Sequence, residues 1–144
     1  MGMLGELVFN KTTLPVLIKS LDASMLRSRV ISNNVANVTT PGFQRLEVKF
    51  EDELRTALDR TRLRGRTTDK KHMAIGRKNI GDIDAQVERP VDPTLASGVN
   101  NVDIDMEMAK LAENQIMFNY AVKFAQGAYR KINSAIQAKP IPPQ

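Results

Sequence analysis

The strongest pattern of hydrophobic positions lies near the carboxyl end of the chain. From Ile104 onward, apolar side chains recur in alternating steps of four and three residues, and Gln115 is the polar member of a series that ends at Ile136. This spacing is typical of a coiled-coil helix, because it keeps one apolar stripe facing a partner over several heptads. The predicted helix is about 50 Å long, and it ends before the proline-rich tail that begins at Pro140.

A second apolar stripe runs from Leu14 to Val38, with hydrophobic residues every three or four positions. Proline is tolerated in the first turn of a helix but not in its interior, so Pro15 places the helix start near residues 13–15, with Thr12 or Thr13 as the N-cap. Serines at positions 24, 28 and 32 interrupt or flank the stripe and leave places where another helix could approach closely.

The two stripes together define a predicted helix-packing seam. Its members are Leu17, Leu21, Ile31 and Val35 in the first helix, and Ile104, Met108, Leu111, Phe118, Val122, Tyr129 and Ile132 in the second.

An asparagine-rich turn follows the first helix. Its residues are Asn33, Asn34, Asn37, Thr40, Pro41, Gly42 and Phe43. Thr40 precedes a proline and is therefore pushed out of the helical region, so we expect the helix to end between residues 37 and 40. Pro41 and Gly42 suit the two central positions of a type II turn, and asparagine tolerates the left-handed conformation that helix ends often require. The segment is interpreted as a helix C-cap and turn, with more amides than that role needs.

The middle of the chain gives weaker signals. Leu46, Val48 and Phe50 alternate with polar residues, which permits a short extended segment, and residues 51–58 could form a further helical turn or two. Glycines and prolines then punctuate residues 60–99, which we expect to be irregular or at most hairpin-like. The chain thus divides into residues 1–43, 44–99 and 100–144, with one structural domain formed by both terminal helices.

Positive charge is concentrated in that middle segment. The net charge is +5, yet residues 55–79 alone contain nine Lys/Arg and two acidic residues. Arginines at positions 60, 62, 64 and 66 could bind phosphate oxygens. However, no aromatic residue lies between Phe50 and Phe118 to stack on bases. We therefore favour a solvated loop and expect no nucleic-acid partner, and a nucleic-acid-binding module built on residues 60–78 is the alternative from a different functional class.

The sequence offers little catalytic chemistry. The chain has no cysteine, and His72 is its single histidine. Asp103, Asp105 and Glu107 lie in the first turn of the second helix, where the helix dipole favours acidic side chains. We expect no catalytic residue, metal ion, cofactor or small-molecule substrate.

These patterns predict a mainly α fold in which long N- and C-terminal helices pair as an antiparallel coiled coil, joined by a largely irregular middle segment. Such a pair still exposes apolar surface, so the helices are expected to order fully only against copies or partners. No run reaches membrane-spanning length, and Glu6, Asn10 and Lys11 interrupt any apolar core of a cleavable signal.

The asparagine-rich turn, residues 33–43, resembles the amino-terminal signature of the axial proteins of the bacterial flagellum, which form the rod, the hook and the hook-filament junction. Residues 100–114 are similar to the start of the carboxy-terminal helix in the proximal-rod branch of that family. The resemblance covers about residues 14–58 and 100–136, and another rod component such as FlgC remains an alternative within the family.

The resemblance implies a structural subunit of the proximal rod, which assembles through its terminal helices into a helical tube in the periplasm. The implied partners are other copies of the chain, the adjacent rod protein FlgC, the adaptor FliE and the MS ring. It also implies export from the cytoplasm through the flagellar type III export gate without a cleavable signal. Phe50 and Leu54 match the element by which rod and hook proteins engage that gate. Asn33, Asn34 and Asn37 are then expected to hydrogen-bond the bend or a neighbouring subunit.

Overall fold

The computed structural model describes residues 13–59, 80–90 and 100–137. Its elements, in chain order, are helix α1 (Leu14–Ala36), strand β1 (Glu47–Lys49), helix α2 (Glu51–Leu58), a 3₁₀ turn (Ile80–Asp82), strand β2 (Gln86–Glu88) and helix α3 (Ile104–Ile136). The two long helices pack against each other, which confirms the predicted mainly helical fold with long terminal helices and an irregular middle.

Helix α1 begins within the predicted bounds and ends at Ala36, one residue before the predicted range of 37–40. Pro15 lies in its first turn, and Thr13 is the N-cap residue, although the Thr13 side chain makes no capping hydrogen bond. At the other end the backbone N–H of Asn37 donates to the carbonyl oxygens of Asn33 and Asn34, at 3.2 and 3.1 Å. The restrictions that Pro15 and Pro41 place on the backbone are thus sufficient to locate the helix.

Helix α3 is 33 residues long and has a well-formed start. The side chain of Asp103 accepts hydrogen bonds from the backbone N–H groups of Asp105, at 2.9 Å, and Met106, at 3.2 Å. These bonds satisfy two of the donors that a helix leaves unpaired at its amino end. Asp103 therefore acts as an N-cap through direct hydrogen bonds, in addition to the favourable dipole interaction that we predicted for the acidic residues here.

The two long helices run antiparallel. Asn34, near the end of α1, contacts Glu107, near the start of α3, and Ser24, farther back along α1, contacts Asn114, farther along α3. Buried side chains of the pair include the small residues Ala23, Ser24 and Ala125. Small side chains allow two helices to approach closely.

The middle segment packs on α1 and not on an independent core. β1 pairs antiparallel with β2, and Val48 lies opposite Val87. Phe50, Ala57 and Ile83 are buried together against Ala23 of α1. The extended segment predicted around Val48 and the helix predicted over residues 51–58 are both present. Within the range predicted to be irregular, residues 80–90 form the 3₁₀ turn and the strand that pairs with β1.

Ion pairs at the surface also stabilise the packing of this middle segment. Arg27 of α1 contacts Glu51 of α2, and the Lys19 ammonium lies 2.7 Å from Asp84. Between the strands, Lys49 Nζ lies 2.6 Å from Glu88 Oε2, and this hydrogen bond and its charge raise the pKa of Lys49. Solvent screens such exposed pairs, so each contributes little, and the buried apolar cluster supplies most of the attachment.

Several features of the sequence lie outside the described residues. They are the basic stretch at residues 60–78 and its arginines, His72, and the proline-rich tail. Across the described ranges, neither long helix carries an apolar window of the kind that crosses a lipid bilayer.

Candidate assembly site

The turn after α1 has the geometry that its sequence predicts. The N–H of Phe43 donates to the carbonyl oxygen of Thr40 at 3.3 Å, and Gly42 has a φ of 72°. A positive φ at the third of four residues is the mark of a type II turn, where a side chain would be strained and glycine is not. Pro41 and Gly42 therefore reverse the chain direction immediately after the helix.

The asparagines at the helix end act through their side chains. Asn37 has a φ of −106°, so it does not use the left-handed conformation that asparagine tolerates. Its Nδ2 instead donates to the carbonyl oxygen and to Oδ1 of Asn33, at 2.9 and 2.8 Å, and its Oδ1 accepts from Thr40 Oγ1 at 3.2 Å. Asn33 and Asn37 thus hydrogen-bond the last turn of the helix to the start of the bend.

Asn100, which is far from this bend in the sequence, hydrogen-bonds the same bend. Asn100 Nδ2 lies 2.9, 2.9 and 3.0 Å from the carbonyl oxygens of Asn37, Val38 and Thr40, while its Oδ1 accepts from the N–H of Val102. The neighbouring Asn101 accepts the N–H of Arg45 at 2.7 Å. These carbonyl groups belong to the C-cap residue of α1 and to the bend that follows it. Asn100 therefore caps the bend from the segment that leads into α3.

Asn34 is the most buried polar residue of the bend, with 0% of its surface exposed. Its Nδ2 donates to the carbonyl oxygen of Leu46 at 2.8 Å and to Oε2 of Glu107 at 2.9 Å, and its Oδ1 accepts the N–H of Leu46 at 3.0 Å. Both amide hydrogens and the amide oxygen are therefore used. One side chain joins α1, the strand segment and α3.

Glu107 is buried to the same degree, at 1% exposure. Besides Asn34, it faces Arg45, whose Nη1 lies 3.6 Å from Oε1, and Arg45 also donates to Glu47 at 2.8 Å. Lys110 lies 3.6 Å from the same Glu47. A buried carboxylate is tolerated only when it is paired and hydrogen-bonded, so Asn34 and Arg45 are what allow Glu107 to face the helix interface.

Asn114 lies two helical turns beyond Glu107 on the same side of α3. Its Nδ2 donates to the carbonyl oxygen of Ser24 at 2.9 Å and lies 3.1 Å from Ser28 Oγ. Its Oδ1 is buried and has no hydrogen-bond partner in the part of the chain that the structure describes. Two of the three serines that flank the apolar stripe of α1 thus receive a polar side chain from α3.

Sequence reasoning missed the inward placement of Glu107 and Asn114. We assigned Glu107 to the helix dipole and gave Asn114 no role of its own. The two residues are one heptad apart, and this spacing was the available signal. This spacing did not identify Glu107 and Asn114, because the apolar residues three or four positions from them repeat just as regularly and were assigned to the interface instead.

The predicted seam residues divide between the interface and the surface. Ile31 is buried, and the half-buried members are Leu17, Leu21, Val35, Leu111, Phe118, Val122 and Ile132. Ile104, Met108 and Tyr129 are 46%, 51% and 54% exposed in the single chain. Packing of these three residues against a neighbouring subunit stays a prediction.

A second apolar surface lies on the far side of α3, and we call it the free face. It consists of Ile116, Met117, Tyr120 and Phe124, which are between 56% and 65% exposed. Ile116 precedes buried Ala125 by nine residues, which corresponds to half a rotation around a helix of 3.6 residues per turn. Ile116 therefore points away from α1, whereas Met117 borders the groove between α1 and α3, and the four large apolar side chains are exposed together.

The two residues of the predicted export element differ in burial. Phe50 is buried in the cluster with Ala23, Ala57 and Ile83, and Leu54 is half-buried against it. A partner that recognises Phe50 must therefore meet the chain before this cluster has formed.

Comparison with known proteins gives consistent results. The family model described as flagella basal body rod protein matches residues 24–44. The chain is 35% identical over 122 residues to the flagellar basal body rod protein FlgB of Borreliella burgdorferi, covering 81% of this chain and 90% of that protein. It is 36% identical to FlgB of Borrelia hermsii, with 81% and 90% coverage. It is 29% identical to FlgB of Bacillus subtilis, with 86% and 92% coverage.

Proposed function

The chain belongs to the FlgB family of flagellar basal body rod proteins, and we propose that it builds the proximal rod by packing α3 against neighbouring subunits. Its membership makes it a structural component of the basal body that assembles with other rod proteins. The proposal adds the surface through which it does so, which is the free face at Ile116, Met117, Tyr120 and Phe124.

The exposure of the free face is the observation that carries this proposal. Four large apolar side chains within nine residues of α3 are each more than half exposed. A soluble domain rarely leaves such a group in water, and contiguous exposed apolar patches usually mark an interaction surface. Helix α3 already packs on α1 with its opposite side, so a second helix on the free face would enclose it from both sides.

Family membership, and not the geometry, supports the position in the rod that we propose. We place the chain at the base of a helical tube in the periplasm, next to the MS ring, with the adaptor FliE and the rod protein FlgC as its neighbours. Crosslinking in intact basal bodies separates this position from that of another rod component, since the base subunit alone should reach both the adaptor and the ring.

Export is the second part of the proposal. We infer that the chain crosses the inner membrane unfolded through the type III export gate, and that Phe50 and Leu54 form the element which the gate recognises. Burial of Phe50 in the folded chain supports an unfolded substrate, because a folded chain would hide this aromatic side chain.

Substitution of one residue in the free face tests the assembly surface. Phe124→Asp should abolish swimming and remove the chain from isolated basal bodies, because it would place an unpaired charge in a buried contact. Phe124 is 65% exposed in the single chain, so the α1–α3 pair should be unaffected. Gln126→Asp is the matched control, since this neighbouring residue is exposed on a different side of α3. Normal rods from Phe124→Asp would refute the proposed surface.

A further inference from the structure

Helix α3 carries opposite charges on its two parts. Residues 103–113 contain four acidic residues and one lysine, whereas residues 114–137 contain Lys123, Arg130 and Lys131 and no acidic residue. Lys123, Arg130 and Lys131 are all exposed. The acidic part lies at the bend, and the basic part lies toward the far end of the helix.

A groove lies beside the acidic part, between α1, β1 and α3. Its volume is about 400 Å³. Four glutamates and two cationic residues are among the side chains that line it, and they are Glu47, Glu51, Glu107, Glu113, Arg27 and Lys110. Arg27 is paired with Glu51, and Lys110 faces Glu47. Arg45 also contacts Glu107 and Glu47, so three cations face four glutamates and the groove keeps an excess of one negative charge. Glu113 is its exposed carboxylate on α3.

Asn114 adds to this negative character. It lines the same groove, is 3% exposed, and has no hydrogen-bond donor for its Oδ1 among the described residues. The orientation of its amide is fixed, because only the nitrogen can donate to the carbonyl oxygen of Ser24. A buried acceptor without a donor is unfavourable. A cation in the groove that donates to Asn114 Oδ1 would therefore be stabilising.

Glu113 and Lys131 lie on the same side of α3, because a whole number of helical turns separates them. Lys131 follows Glu113 by 18 residues, which is five turns of an α-helix and about 27 Å along its axis. Glu113, the free face and Lys131 therefore lie on one side of α3, with the carboxylate at one end, the apolar residues in the middle and the ammonium at the other end.

We propose that the groove binds Lys131 of a second copy of the chain, which lies parallel to the first and is displaced by about 27 Å along α3. The Lys131 ammonium of one copy then lies beside Glu113 of the next, and the basic part of one α3 lies along the acidic part of the other. The contact is heterologous, because it joins the acidic groove of one copy to the basic end of another. In a pair of copies, one groove and one basic end therefore stay free, and further copies can bind there. The inference rests on the proposed function, since it assumes that copies of the chain meet in the rod.

Disulfide trapping tests the contact directly, because the chain has no cysteine of its own. The double variant Glu113→Cys, Lys131→Cys is expressed in flagellated cells and oxidised in intact basal bodies. Within one copy these positions are about 27 Å apart, far beyond the Cα spacing of about 4.4–6.8 Å that a disulfide requires. Every disulfide must then join two copies.

The proposal predicts a ladder of disulfide-linked dimers and higher multimers on a non-reducing gel. The control variant Glu113→Cys, Gln126→Cys should give monomers, because residue 126 lies on another side of α3. Dimers alone would indicate a closed two-fold pair and would overturn the staggered contact. Monomers alone in cells that swim would also overturn it, while the assembly surface tested by Phe124→Asp would stand.

A charge exchange provides an independent measurement. Glu113→Lys and Lys131→Glu should each lower the amount of chain in isolated basal bodies about tenfold, since like charges across an interface are strongly unfavourable. Both residues are exposed in the single chain, so neither change should disturb its fold. The double exchange should restore assembly. Single variants that assemble as well as the unaltered chain, or a double variant that recovers nothing, would overturn the pairing.

Discussion

Asn34 Nδ2 donates a hydrogen bond of 2.9 Å to Glu107 Oε2, between residues that are 73 positions apart in the chain. The same Asn34 pairs with both backbone groups of Leu46, so its side chain holds the end of α1, the strand segment and the start of α3 at one point. The asparagine-rich turn is therefore the joint between the two long helices, and its angle is set by buried hydrogen bonds.

Replacement of Asn34 should damage assembly more than solubility. Asn34→Leu removes the hydrogen bond to Glu107, which keeps only its ion pair with Arg45, and takes the side-chain partner from both backbone groups of Leu46, at a cost of about 3 kcal/mol. We expect the chain to be nearly absent from isolated basal bodies while its soluble level changes little, as measured by immunoblot of both fractions. Asn133→Leu is the matched control, because Asn133 is exposed and lies toward the far end of α3 from this joint. Normal rods from Asn34→Leu would show that the turn acts without this joint.

Asn100→Ala should loosen the bend without disturbing the start of α3. The change removes the donor that faces three carbonyl oxygens of the bend after α1, and it should cost about 1–2 kcal/mol. Hydrogen exchange at the backbone N–H groups of Thr40 and Phe43 should then be roughly ten times faster. Asn101→Ala should affect the N–H of Arg45 instead. Unchanged exchange in Asn100→Ala would exclude its role as a cap.

Recognition by the export gate can be separated from folding by comparing two residues of one cluster. Phe50→Ala and Ile83→Ala each remove a buried side chain beside Ala23, and each should destabilise the folded chain by about 2–5 kcal/mol. We expect Phe50→Ala to reduce secretion several-fold and Ile83→Ala to leave it unchanged, measured as the chain released by a strain that cannot complete its rod. Equal secretion of both variants would remove Phe50 from the export element.

The isolated chain should be less helical than the assembled one. The contacts between α1 and α3 include small or polar residues such as Ser24, Asn34 and Asn114, so apolar burial stabilises a single helix pair only weakly. Circular dichroism at 222 nm should show helicity rising as the purified chain assembles. A dilute chain that is already fully helical and unfolds cooperatively, with no affinity for rod or adaptor proteins, would contradict this expectation.

The sequence was sufficient to predict the parts of the fold that depend on local backbone restrictions. Pro15 and Pro41 limit where α1 can lie, and Gly42 is needed for the positive φ of the type II turn. Apolar spacing alone predicted α3, because a regular stripe over many turns has no other simple explanation.

The remaining features depend on contacts between distant residues. Glu107 has an adequate local explanation in the helix dipole, and only the position of Asn34 shows that it faces inward. Asn100 lies in the segment that resembles the rod family, and its hydrogen bonds to carbonyl groups more than 60 positions away have no local sequence signal. β2 has three residues and pairs with a strand far along the chain, which no local pattern could indicate.

A density map of an intact basal body, with this chain traced through it, tests the central claim most directly. Our account predicts the chain at the base of the periplasmic rod, with Phe124 and the rest of the free face packed against a neighbouring subunit and Asn34 still bonded to Glu107. A map that places the chain elsewhere, or that leaves the free face of α3 in solvent, would contradict it.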